Sequence, residues 1–171
     1  MKRLFDYPKI FLALVLWLGL QATKTEAQTF MAEVAATTEV ARMSLGEGIA
    51  QKDQLLLDLI TKAGLMPVLS SNEEHTLFAP SMQVLQQHAA DTPEQLRAFL
   101  EQHIVKGHLT AEDLRDGHDL KALSGNNLRI CRKKGAVIVS GVRLKETDQL
   151  YANGVWHRLN GAFQPAVTSQ L

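Results

Sequence analysis

The apolar positions of this chain fall into two successive patterns. From about Ile49 to Gly117 they recur mostly at helical spacing; beyond Gly117 they come in short runs separated by turn residues. Leu56, Leu59, Ile60 and Ala63 share one helical face, with Asp53 placed to cap it and Gly64 to stop it. Thr76 to Ala79 reads as a short buried strand ended by Pro80, and Met82 with Leu85 as a short helix after it. Thr92, Pro93 and Gln95 form a capping-box start, and Leu96, Phe99, Leu100, His103 and Ile104 then make a single apolar stripe, with Gly107 beyond its end. Thr110 with Asp113 predicts one more short helix, carrying Leu114 and closed by Gly117.

The second half reads as strands over 120–123, 128–131, 136–139, 142–144 and 155–163. Ser124-Gly125-Asn126-Asn127, Lys133-Lys134-Gly135, Ser140-Gly141 and Asn153-Gly154 supply turn chemistry between them. Helices first and strands after predict an α+β fold instead of alternating βαβ units.

The N-terminus carries a different pattern. Lys2 and Arg3 precede an apolar run from Ile10 to Leu20, which is shorter than the roughly 20 residues of a membrane span. Thr25 and Ala27 are small residues at the positions a signal peptidase reads, so residues 1–27 are expected to be a signal peptide cleaved after Ala27. Residues 28–48 are then an N-terminal extension, partly helical, ending at Gly46 and Gly48. Residues 49–166 are the domain proper and 167–171 a tail. No later apolar stretch is long enough to cross a bilayer, so no transmembrane segment is expected after cleavage. The expected location is secreted or periplasmic, at the cell envelope.

Composition adds constraints. The 171 residues carry 18 basic and 18 acidic side chains, and this balance argues against a nucleic-acid partner. Cys131 is the only cysteine, so no internal disulfide can form, and its run Leu128 to Cys131 suggests a buried thiol. The absence of an Asn-x-Ser/Thr acceptor favours a bacterial envelope over a eukaryotic secretory route.

Little in the sequence points to catalysis. His103 lies on an apolar stripe and His157 alternates with Val155 and Leu159, so both are expected to be buried and bonded to backbone, with a shared polar network between helix and sheet. His75, His88, His108 and His118 have no metal-ligand spacing, and neither a metal nor another cofactor is expected. There is no nucleophile elbow and no phosphate loop; Ser81 reads as a helix N-cap. Arg132, Lys133 and Lys134 form a basic cluster at a hairpin tip, able to meet an acidic glycan or lipid headgroups. Trp156 lies on the strand face opposite His157, either as an interface anchor or packed beneath a helix.

Two separated stretches carry a resemblance. Thr76-Leu77-Phe78-Ala79-Pro80 and Asn153-Gly154-Val155-Trp156-His157, continuing to Pro165, resemble the two signature segments of the fasciclin-like family. His103 and Gly107 match its central segment, with Gln102 where the family has Tyr; Gly117, Leu120, Leu123, Gly125 and Leu128 match the stretch after it. The resemblance covers about Ile49 to Pro165 and implies antiparallel strands flanked by short helices. It implies a non-catalytic adhesion or binding module for a cell-surface or matrix protein or polysaccharide. The segment that bears adhesion in the family falls on Glu146, Asp148 and Leu150, with Gln149 in place of an aliphatic residue. Contacts are expected from loops at 146–152 and 132–135. The alternative is a carrier of a small apolar ligand in a groove between helices and sheet.

Overall fold

The computed structural model describes residues 42–164. The expected leader, most of the 28–48 extension, Pro165 and the 167–171 tail lie outside the described residues. The first element among the described residues is helix α1 (Leu45–Lys52). Its capping box is reciprocal: the Glu47 N–H donates to the Ser44 hydroxyl, and the Ser44 N–H donates to the Glu47 carboxylate. Gly46 and Gly48, expected to close the lead-in, lie inside this helix. They serve close packing: a Cβ on Gly48 would stand 1.9 Å from the Tyr151 ring, and one on Gly46 2.3 Å from Ser70 Oγ.

Helix α2 (Gln54–Lys62) starts as expected at Asp53, whose carboxylate accepts the Leu56 N–H, and stops at Gly64, where φ is +70°. Helix α3 (Met66–Leu69), strand β1 (His75–Ala79) and helix α4 (Met82–Gln87) follow. Ser81 occupies the cap position of α4, but its side chain makes no cap bond. Its backbone N–H instead donates to Gly161 O at 2.9 Å, tying the signature Pro80 turn to the chain beyond the last strand.

Helix α5 (Pro93–Glu101) has the expected Thr92–Gln95 box but ends before His103. Ile104 belongs to strand β2 (Ile104–Lys106), which pairs antiparallel with β1. The apparent stripe joined a helix face, Leu96 and Leu100, to a buried strand start, because both present apolar residues to the same interior. Thr110 to Leu114 is a turn instead of a helix, with the Asp113 carboxylate accepting from both the N–H and the hydroxyl of Thr110.

Strands β3 (Asp119–Lys121), β4 (Asn127–Lys133), β5 (Ala136–Val139), β6 (Val142–Tyr151) and β7 (Gly154–Leu159) complete a seven-stranded sheet of order β2-β1-β7-β6-β5-β4-β3. All neighbours are antiparallel except β1 and β7. The two ends of this order meet: Val105 bridges Ala122, and the Leu123 N–H donates to Ile104 O at 2.8 Å. The sheet therefore wraps around its own interior. Lys134-Gly135 and Ser140-Gly141 both have paired positive φ values, the conformation that tight hairpin turns require. Strand β6 reaches Tyr151, whereas the sequence suggested a loop from 146; register shifts at Leu144/Glu146 and Glu146/Gln149 break the alternation that would have revealed it.

Two apolar cores result. Leu45, Ile49, Leu56, Ile60, Leu96 and Leu100 pack with Leu77 and Trp156 between helices and sheet. Phe78, Ile130, Val139, Leu144, Leu159 and Phe163 fill the wrapped sheet. This is the α+β architecture expected: a largely antiparallel sheet flanked by short helices.

Candidate functional site

The two signature segments lie side by side. Strands β1 and β7 run parallel with His75 opposite Gly154, Leu77 opposite Trp156 and Phe78 opposite His157. A Cβ on Gly154 would stand 2.0 Å from His75 O, so the backbone approach itself requires glycine there. Thr76 is buried; its hydroxyl donates to Gly107 O at 2.7 Å and accepts the Leu109 N–H at 2.9 Å. Asn153 acts as a three-way tie: Oδ1 accepts the Leu45 N–H at 2.6 Å, and Nδ2 donates to Leu69 O at 2.9 Å and Ser71 O at 2.6 Å. The polar signature residues thus satisfy backbone groups that would otherwise be buried unpaired.

His103 and His157 are both buried, and both are consumed in the same way. His103 Nδ1 donates to Phe99 O at 2.8 Å, and Nε2 accepts the Phe163 N–H at 2.9 Å. His157 Nε2 donates to Leu109 O at 2.8 Å, and Nδ1 accepts the Asp148 N–H at 3.2 Å. Burial pushes the His103 pKa down to about 4, against the opposing pull of the Phe99 carbonyl, and lowers that of His157 as well. The two imidazoles share no hydrogen bond, contrary to the network expected. Rings link them instead: His103 stacks on Phe163 at 4.8 Å, Phe163 tilts against Phe78 at 5.8 Å, and Phe78 stacks on His157 at 5.3 Å. With both nitrogens of each ring occupied, neither histidine is free to act as a base.

The residues expected to make contacts separate into two groups. Trp156 is only 1% exposed and lies in the core between helices and sheet, with the Arg158 guanidinium 5.2 Å above its ring. Arg158 in turn reaches the α2 cap Asp53 at 2.7 Å. Trp156 is therefore core and not an interface anchor. Arg132 is held by the 111–116 loop, its guanidinium donating to Leu114 O at 2.9 Å and to Ala111 O. Asp148 has a positive φ of +61° in the β6 bulge, and its carboxylate accepts the Ala111 N–H at 2.6 Å. Both Arg132 and Asp148 thus spend hydrogen bonds on the same loop. Glu146, Leu150 and Lys133 are exposed, Leu150 to 45%. Cys131 also faces outward, because strand alternation buries Leu128 and Ile130 and turns the thiol to the surface.

A cleft of about 480 Å³ opens between α4, α5 and residues 162–164. Val84, Phe99 and Phe163 supply its apolar wall, and Gln95, Gln102 and His88 its polar rim. At the rim His88 Nδ1 lies 2.6 Å from Asp91 Oδ2, and the His88 ring stacks on Phe99 at 3.9 Å. Among the described residues no group of three or more His, Cys, Asp or Glu side chains is placed to hold a metal ion. No helix among them is long and apolar enough to cross a membrane.

Known proteins resemble this chain in sequence and in fold. Fasciclin-like arabinogalactan protein CTB11 of Cercospora beticola is 33% identical over 136 residues, 73% of this chain and 36% of that protein. Transforming growth factor-beta-induced protein ig-h3 of Sus scrofa is 29% identical over 114 residues, 62% of this chain and 17% of that protein. Periostin of Homo sapiens is 26% identical over 113 residues, 66% of this chain and 14% of that protein. This chain spans little more than a third of the first of these relatives, and less of the other two. Among solved structures, a FAS1 domain pair from the insect cell adhesion molecule Fasciclin I shares the fold, with a TM-score of 0.57 at 15% identity, covering 72% of this chain and 51% of that one. Residues 53–165, from the α2 cap to just past the β7 segment, match the Fasciclin domain, and the chain belongs to that family.

Proposed function

We propose that this protein is an extracytoplasmic binding or adhesion module whose partner is a cell-surface or matrix protein or polysaccharide. The family match over residues 53–165 carries this reading. The relatives lend support through their names, one an arabinogalactan protein and another from an insect cell adhesion molecule. The leader-like segment before Ala27 supports export to the periplasm or the exterior. Both signature histidines are committed to backbone bonds, so the recognising surface is the exposed exterior of the sheet and its turns.

The test is binding of the purified full chain to an array of envelope polysaccharides and matrix proteins. Saturable binding to at least one is expected. A flat response on every surface would defeat the reading. A second reading, carriage of a small apolar ligand, has one observation in its favour: the cleft walled by Val84, Phe99 and Phe163. An apolar fluorophore that binds the native chain and is displaced by Val84→Trp would favour it.

A further inference from the structure

The balanced charge of this chain conceals a segregation. From Asp119 to Lys145 the sequence carries seven Lys and Arg residues against one acid, a net charge of +6. The rest of the chain therefore carries −6, since the total is zero. The fold concentrates the basic stretch further, because strands β3, β4, β5 and the first half of β6 lie side by side in the sheet, with the acids Glu146 and Asp148 falling in the second half of β6. Their inward positions are apolar and buried: Leu128, Ile130, Val137, Val139 and Leu144. Their outward positions include Lys121, Arg129, Lys133, Arg143 and Lys145, all exposed.

The register aligns these cations. Ile138 pairs with Cys131 on one side and Arg143 on the other, and Lys133 pairs with Ala136. Strands lie about 5 Å apart and alternate residues about 7 Å apart, so cations recur across the face at roughly 5–10 Å. Arg129 pairs with the only acid of the stretch, Asp119, at 3.1 Å, an exposed pair of small energy. Arg132 is engaged by the 111–116 loop. Among the described residues, no carboxylate lies within ion-pair distance of Lys121, Lys133, Lys134, Arg143 or Lys145.

Resting on the binding-module reading above, we propose that this β3–β6 face binds a linear anionic polysaccharide, with Lys133, Arg143 and Lys145 at its centre. Charge complementarity supplies the attraction, and cations recurring on the outward face of neighbouring strands suit a polymer with an acidic group on successive sugars. Other polyanions fit less well. Residues 119–145 contain no Phe, Tyr or Trp to stack a nucleic-acid base or to sit at a headgroup boundary. The exposed large apolar side chains among the described residues, Met82 and Leu150, lie outside β3 to β5 and outside the basic half of β6. A bilayer would find no insertion anchor here.

The experiment titrates the purified full chain with polygalacturonate, and in parallel with neutral dextran, anionic phosphatidylglycerol vesicles and duplex DNA. Saturable binding to polygalacturonate is expected, weakening steeply as salt rises, with dextran inert. The triple variant Lys133→Ser, Arg143→Ser, Lys145→Ser should bind the polyuronate at least roughly tenfold more weakly, since several charge contacts are lost. Lys62→Ser with Arg97→Ser, on the helical layer, should leave binding unchanged. If the triple variant melts early, Lys121→Ser with Lys134→Asn replaces it, and at least a threefold loss is expected. Equal binding by native and face variants overturns the proposal, as does tighter binding to vesicles or DNA than to polyuronate. Saturable binding that survives in the face variants keeps the module and discards the face; no binding in any arm discards the face, and no binding on the protein and polysaccharide array as well discards the module.

Discussion

His103 and His157 hold opposite tautomers, and their partners dictate why. Carbonyl oxygens can only accept, so the proton sits on Nδ1 of His103, facing Phe99 O, and on Nε2 of His157, facing Leu109 O. The remaining nitrogen of each ring accepts a backbone N–H, from Phe163 and Asp148. A second proton on either ring would point at another proton. The folded state therefore refuses a proton that the unfolded chain accepts below about pH 6.5. Stability is expected to be fully present above that value, to fall as pH drops from 6.5 toward about 4, and then to level off for His103. The His103 contribution is roughly 3 kcal/mol, and His157 acts in the same direction. Urea unfolding at pH 7.5 and at pH 4 would measure it. Carboxylates also titrate near the lower end, so the comparison is with His103→Gln, which should be less stable at pH 7.5 but lose less on acidification. An equal acid loss in both proteins would remove His103 as the cause. The sequence made the burial of these two histidines legible through their apolar neighbours. It could not supply their partners, because Leu109, Asp148 and Phe163 arrive from loops and a bulge with no periodic signal.

Among the elements, those with end signals were the readable ones. Helices α2 and α5 begin at Asp53 and Thr92 as their caps predict, and the β4–β5 and β5–β6 turns fall on Gly135 and Gly141. Strand β2 was absorbed into the preceding helical stripe because three residues are too few to establish a period of two. Helix α1 was missed although Ser44 and Glu47 spell a capping box, because Gly46 and Gly48 read as breakers. Their function is steric. An Ala in place of Gly on an exposed helix gains up to about 1 kcal/mol. At Gly48 the new methyl would meet Tyr151 Cε1 at 1.9 Å, and Tyr151 is buried against α1 and Trp156, so its ring has little room to withdraw. Gly48→Ala should therefore destabilise the protein by about 1–3 kcal/mol, reversing the sign expected from helix propensity. A thermal melt decides it: a raised midpoint would mean that α1 shifts freely and is not locked onto β6.

At the scale of the whole molecule, two apolar clusters could unfold as two units or as one. Strands β1 and β7 argue for one. Leu77, Ala79 and Trp156 pack into the helical cluster, while Phe78 and Leu159 on the same strands pack into the wrapped sheet. Period-two alternation thus makes each strand a member of both cores, and neither core can lose β1 or β7 without exposing the other. Asn153 strengthens the coupling by tying the β6–β7 turn to the start of α1 and the end of α3. Leu56→Ala in the helical core and Ile130→Ala in the sheet core should each cost about 2–5 kcal/mol. Each should lower one common transition, followed by far-UV circular dichroism and by the fluorescence of Trp156 in a Trp17→Phe background. Trp156 sits in the helical cluster and Ile130 in the other, so the informative variant is Ile130→Ala. If its circular dichroism transition moved while Trp156 fluorescence stayed in place, the shared strands would not transmit stability between the layers. A joint shift of both signals would mean that the parallel β1–β7 pair, the two signature segments set side by side, is the common member that makes the fold one cooperative unit.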